Sequence, residues 1–289
     1  LLDADFAELP GICFNETLDT SSLMTDLELC EKYGYDYIEI RLAYLQDYLK
    51  DHTMKDLKEY FNTHHIKPFG YNSITDVNFC TPEKWKEVKE FFTFACKAVK
   101  EIGGKSIVVV PTCSEEMRNK TEKEVFDDSV KVLKELSDIA KPYGAMISWE
   151  PIGHPVFACN STAEGMAIVN AVNRDNVGIT VDAFNMYAYN AFEDIEDIRK
   201  IPKEKIVVFH INDAMNIPFD ELDTLKHRAY PGEGKIQLDE LCAILKDIGY
   251  DDVASLELFG DWMYEDEPEV LIRDGYKKTT EYLEKVGLR

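Results

Sequence analysis

A chain of 289 residues with 45% apolar and 30% charged side chains can bury a sizeable core and is neither disordered nor membrane-spanning in composition. Its 55 acidic residues against 32 basic ones give a formal net charge of −23. Such a surface repels phosphodiester backbones and anionic lipid, so nucleic acid and membranes are excluded as natural partners, while cations and small neutral solutes remain. The seven cysteines (Cys13, Cys30, Cys80, Cys96, Cys113, Cys159 and Cys242) are odd in number and form no Cys-x-x-Cys pair. Most sit in apolar runs, which argues against a disulfide framework or a thiolate metal site. The opening stretch LLDADFAELPG has no basic start and no long apolar segment, and no run of about 18 apolar residues occurs anywhere, so a cytoplasmic protein is expected.

In chain order, GICFN (11–15) reads as the first strand, and SLMTDLELCEKYG as a helix with apolar residues at helical spacing that ends on Gly34. DYIEIR (36–41) and KPFGYN (67–72) are the next strands. TPEKWKEVKEFFTFACKAVKEIGG is a helix with Thr81 as N-cap, Pro82 in the first position and Gly103 at its close. The strand KSIVVVP (105–111) leads into the helical EKEVFDDSVKVLKELSDIAKPYG. AMISWE (145–150), VGITVD (177–182) and KIVVFHI (205–211) follow as strands, then the helix LDELCAILKDIGY and the strand VASLEL (253–258). Strict strand–helix alternation implies parallel strands with crossover helices.

Eight such units, with strands apolar enough to be buried on both faces, fit a single closed (β/α)₈ barrel over residues 1–289. No low-complexity linker divides the chain. A doubly wound open sheet with a dinucleotide would place a Gly-x-Gly-x-x-Gly after the first strand; none is there, and no nucleotide cofactor is expected. The longest irregular stretch, 212–234, follows the seventh strand and is expected to form a functional loop or lid.

The polar residues fall in a pattern. Strands five to eight each carry one metal-ligating side chain at or beside the C-terminal end: Glu150, Asp182, His210 and Glu257. In a parallel barrel these ends face one mouth, where barrel enzymes place their chemistry. Three carboxylates converging there cannot all stay ionised without a cation. One nitrogen and three oxygens suit Mn²⁺, Zn²⁺ or Co²⁺ better than Mg²⁺, Ca²⁺ or a thiolate-seeking ion.

The chain resembles the xylose-isomerase-like barrels of the sugar phosphate isomerase/epimerase superfamily, and within them the inosose isomerases. The likeness runs through CFNET (13–17), DLELCEKYGYDYIEIR (26–41), LKDHTMKDLKEYFNTHHIKP (49–68), LSDIAKPYG (136–144), GHP (153–155), VNRDNVG (172–178) and PGEG (231–234). It implies that Glu150, Asp182, His210 and Glu257 hold one divalent metal ion and that Glu150 and Glu257 are the acid/base pair. It also implies the reaction, a ketone moved by one carbon on a cyclitol through an enediolate, from 2-keto-myo-inositol to 1-keto-D-chiro-inositol. Metal polarisation of the carbonyl and proton transfer by carboxylates are the chemistry such a site offers.

Further residues are expected near a small neutral cyclitol. Arg228, in HRAYPGEG, offers paired donors to a substrate oxygen. His154 lies four residues past Glu150 and offers a hydrogen bond or a proton shuttle; Asn15 and Glu16, at the end of the first strand, face the same mouth. Asp213, three residues after His210, is expected to orient that imidazole or to bond the substrate. Trp149 and Tyr187 are flanking rings. Where the family usually has histidine three residues after the aspartate, this chain has Asn185, which hydrogen-bonds but does not titrate.

The alternatives on the same metal site are a sugar or cyclitol epimerase, an inosose dehydratase and a C-glycoside-processing enzyme. A barrel that binds sugar without catalysis is the alternative of another class. An apurinic-site endonuclease would need more histidine than six and a basic face. Assembly into a homo-oligomer is left open by the sequence.

Overall fold

A computed structural model describes residues 11–289; the opening stretch read above for a signal lies, up to residue 10, outside the described residues. Eight parallel strands close into a barrel: β1 (Gly11–Asn15), β2 (Tyr37–Arg41), β3 (Lys67–Ile74), β4 (Ser106–Val109), β5 (Met146–Trp149), β6 (Val177–Asp182), β7 (Ile206–Ile211) and β8 (Val253–Leu256). Each pairs with its chain neighbour, and β8 closes onto β1. All eight coincide with the apolar or β-branched runs read from the sequence. Every residue of β4, β6, β7 and β8 is buried, as expected for strands covered by helices outside and by packed side chains within.

Several of the helices start where small polar residues satisfy free backbone N–H groups. Ser22 caps Leu23–Tyr33, Thr81 caps Pro82–Glu101, and Thr121 forms a reciprocal capping box with Glu124 at the start of Glu122–Ala140. Gly34 ends the first of these in the left-handed region at φ 94°, as its position predicts. Among the described residues no helix is long and apolar enough to cross a membrane.

Two local features set up the mouth. The β2–β3 ladder shifts register between Ile38 and Glu39, skipping Phe69, so that Glu39 pairs with Gly70; such irregularities re-aim a side chain. The long stretch after β7 is not free coil. Asp213–Ala214 pairs antiparallel with Arg228–Ala229, and the PGEG turn folds back over that ribbon. A Cβ on Gly234 would sit 2.2 Å from the Ala214 carbonyl oxygen, so the turn closes this tightly only with glycine.

Candidate metal centre at the barrel mouth

The barrel brings the four strand-end residues to one point. β6 and β7 pair Asp182 with His210, β7 and β8 pair His210 with Ser255, and Glu150 and Glu257 each follow the last residue of their strand. All four are buried, and one donor atom from each lies within 4.8 Å of the others. Four ligands about 2.1 Å from a common ion stand about 3–4 Å apart, so the set fits a single divalent cation. His210 Nδ1 faces the carboxylates: 3.2 Å from Glu150 Oε1, 3.2 Å from Glu257 Oε2 and 3.7 Å from Asp182 Oδ2.

The other imidazole nitrogen corrects an expectation. Asp213 was expected to orient His210, but Nε2 points across the barrel interior and meets Glu39 Oε1 at 3.2 Å. Glu39 is completely buried. A carboxylate on the free ring nitrogen is the usual partner of a metal-binding histidine, fixing the tautomer so that Nδ1 is the ligand. Asp213 turns the other way, accepting from the backbone N–H groups of Ala214, Gly232 and Ile236 at 2.8, 3.1 and 2.9 Å. It anchors the PGEG turn and touches neither His210 nor the mouth. Glu39 was legible in principle: it is a carboxylate in the middle of YIEIR, a strand that must be buried on both faces and so needs a partner for it.

Each carboxylate is held by several groups. Asp182 Oδ1 caps the helix Ala183–Asn190 by accepting from Asn185 N at 2.6 Å, and Oδ2 accepts from Asn212 Nδ2 at 3.0 Å. Glu257 Oε1 accepts from Asn15 Nδ2 at 2.9 Å and Asn72 Nδ2 at 3.2 Å. Glu150 Oε1 accepts from Asn185 Nδ2 at 3.4 Å. Asn72 and Asn212 were not singled out from the sequence, because amides within or just after strands give no signal until the pairing is known.

Arg228 also sits differently from the expectation. It is buried, its guanidinium packed between the rings of Phe184 and Phe259. Its Nη1 donates to Asp182 Oδ2 at 2.7 Å and to Glu257 Oε2 at 2.8 Å, so it holds ligand oxygens where a substrate oxygen was expected. Glu16 is engaged within the protein, its Oε2 accepting from Arg41 N at 2.8 Å and its other oxygen turned to Asp26, while the residue also lines the recess that holds Asn15 and Arg41. Trp149 is wholly inside the core, and Tyr187 packs edge-on against Phe192 and Phe219, so neither ring is free as a platform.

His154 lines a recess of about 330 Å³ together with Tyr189, Phe219 and Thr224. The preceding Gly153 lets this loop lie directly on the helix Ala183–Asn190; a Cβ there would stand 1.9 Å from the Asn185 carbonyl oxygen. On the Glu257 side, Asn15, Arg41, Asn72 and Phe259 line a second recess of about 250 Å³.

These contacts separate the two glutamates. Burial, then the neighbouring Glu257 charge, pushes Glu150 up to about 7. Burial would raise Glu257 as well, but the His210 and Arg228 cations hold it down at about 2. Burial disfavours the His210 imidazolium, yet Glu257, Glu39 and Glu150 outweigh it and keep the ring well above the ordinary histidine range.

The model of one family, the xylose isomerase-like TIM barrels, matches residues 27–285. The chain belongs to that family. Within it, the chain is 43% identical to an inosose isomerase of Bacillus velezensis over 93% of its own length and 95% of the relative's. An inosose isomerase of Bacillus subtilis is also 43% identical, over 95% and 98%. A crystal structure of IolI protein with a bound zinc atom superposes with a TM-score of 0.90 at 42% identity, covering 96% of this chain and 99% of the other. Membership accounts for the barrel, and the buried Glu–Asp–His–Glu cluster is the part of it that carries chemistry.

Proposed function

We propose that this protein is an inosose isomerase that interconverts 2-keto-myo-inositol and 1-keto-D-chiro-inositol in myo-inositol catabolism. The observation that carries the reading is the buried four-donor cluster at the barrel mouth, in a chain alike over nearly its whole length to relatives that bear that name. Glu150, Asp182, His210 and Glu257 would hold the ion. The zinc in the related crystal structure supports Zn²⁺, and the oxygen-rich donor set is equally suited to Mn²⁺. When bound, a divalent ion supplies Lewis-acid polarisation of the ketone and an anchor for the adjacent hydroxyl oxygen.

The chain's own groups move the protons. A carboxylate takes the proton from the carbinol carbon beside the ketone, an acid returns one to the former carbonyl carbon, and the hydroxyl proton passes between the two oxygens. Glu150 and Glu257 are the pair that the site supplies. They differ in freedom: both Glu257 oxygens accept hydrogen bonds, whereas no described side chain donates to Glu150 Oε2. That oxygen is the one we assign to carrying a proton. We assign His154, which lines the recess with Thr224, to bonding a cyclitol hydroxyl. Seven free thiols, five of them buried, support a reducing cytoplasm.

Incubation of the metal-loaded protein with 2-keto-myo-inositol, followed by NMR of the products, tests the reading. The expected product is the chiro ketone. Loss of water to a diketone, inversion of a hydroxyl without ketone migration, or no reaction would contradict it.

A further inference from the structure

A polar chain runs from the metal centre into the long loop after β7. Thr224 lies on that loop, between the turn Phe219–Glu221 and the ribbon strand Arg228–Ala229. Its carbonyl accepts from Arg228 Nε at 3.0 Å, and its hydroxyl oxygen accepts from Arg228 Nη2 at 3.1 Å. A hydroxyl has one proton to give, and here it goes to Asn185 Oδ1, 2.9 Å away. That bond decides which way the Asn185 amide faces. With Oδ1 on Thr224, Nδ2 is left toward Glu150 Oε1 at 3.4 Å.

The reverse orientation is disfavoured at both ends. It would cost the Thr224 hydroxyl proton its acceptor and set the amide oxygen against a carboxylate. The Asn185 backbone gives no slack, because its N–H is tied to Asp182 Oδ1 at 2.6 Å. Arg228, which presents its own donors to Thr224, also donates to Asp182 and Glu257. The loop thus reaches all three ligand carboxylates, two through Arg228 and the third through Thr224 and Asn185.

We propose that Thr224 is a positioning residue for Glu150: its hydroxyl locks the Asn185 amide so that Nδ2 donates to Glu150 Oε1, which leaves Oε2 for the substrate proton. The coupling is a property of the side chains, and only its kinetic readout rests on the isomerase reading. Thr224 is half-buried at the edge of the recess, so valine fits there without its hydroxyl.

The test uses Thr224→Val and Thr224→Ser in the zinc-loaded protein, with 2-keto-myo-inositol as substrate. Thr224→Val is expected to lower kcat about tenfold, since a misplaced group costs turnover. KM should stay within about twofold, because binding contacts are unchanged. Thr224→Ser, which keeps the hydroxyl, is expected to recover most of the loss. Independently of turnover, the Asn185 side-chain NH₂ signals in nitrogen–proton NMR should shift in Thr224→Val and not in Thr224→Ser. Parental kcat in the valine variant overturns the proposal, and so does a lowered kcat with unmoved Asn185 signals. If the parent protein does not convert the substrate while the Asn185 signals still respond, the isomerase reading fails and the coupling stands.

Discussion

Among the described residues two acidic clusters are buried, one at the barrel mouth and one beneath the loop after β1. At the mouth Glu150, Asp182 and Glu257 surround the cations His210 and Arg228 and collect amide N–H groups from Asn15, Asn72, Asn185 and Asn212. Beneath the loop, Glu16 and Asp26 have each other. Arg41 gives Glu16 only its backbone N–H, while its guanidinium turns outward to Asp19. Glu16 Oε1 and Asp26 Oδ2 face no other donor, the situation of two carboxyls sharing a proton. Burial lifts Asp26 up to about 7 and Glu16 well above the usual carboxylate range. The difference teaches what makes a buried acid cluster a metal site: negative charge is common to both, but only the mouth arranges three ligand carboxylates around a histidine whose far nitrogen is already taken.

Substitutions that neutralise one acid at a time should separate the clusters. Glu257→Gln is expected to lower kcat about 10³-fold, the scale of losing an acid/base carboxylate that also holds the ion. Glu16→Gln should leave turnover within about threefold, because its bonds are internal. Product NMR time courses measure both, and a large loss in Glu16→Gln would restore that residue to the substrate contacts.

Next comes Glu39. Glu39→Gln is expected to weaken zinc binding by about 10–100-fold, the usual cost of losing a carboxylate behind a metal-bound histidine. Competition with a chromophoric chelator reads this directly, and unchanged affinity would leave the His210–Glu39 contact merely structural.

Binding of the ion should also be proton-linked at the mouth. His210 is held well above the ordinary histidine range by its carboxylate neighbours, so its proton must leave when the ion enters. Affinity should therefore fall with acidity, about tenfold per pH unit for each proton displaced, between pH 7.5 and 5.5. Calorimetry in buffers of different ionisation enthalpy counts the protons.

The smallest effect belongs to the second cluster. A carboxyl raised in the folded state keeps its proton where the unfolded chain has lost it, so the folded state loses stability as pH rises from about 4 to about 7. Asp26→Asn removes that loss while keeping an acceptor for Ser21. It should stabilise the protein by about 2 kcal/mol at pH 8 and not at all below about pH 4. Urea unfolding at the two pH values measures it; an equal effect at both would mean that Asp26 has no raised proton affinity.

Much of this was readable before the fold was in hand, for definite reasons. Parallel barrel strands are apolar throughout, so a polar residue that ends one stands out, and Glu150, Asp182, His210 and Glu257 were found that way. Glu39 escaped because it lies mid-strand, where its use depends on a register shift and on His210 reaching it from across the barrel. Asp213 misled because nearness in sequence to His210 says nothing of side-chain direction, which the short ribbon and the PGEG turn decide. Arg228 was placed at the right site with the wrong partner: the loop carries it there, but packing between Phe184 and Phe259 aims it at the ligand carboxylates. Thr224 had no signal at all, since a threonine in a polar loop acquires its role only when the loop folds onto the mouth.

The claim on which these readings turn is that one divalent ion, held by the four mouth residues, is required for turnover. Chelator-stripped protein, assayed with 2-keto-myo-inositol and then titrated with zinc or manganese, tests it directly. Turnover should be absent after stripping and should return in proportion to metal up to one equivalent per chain. Undiminished turnover in the stripped protein would contradict it.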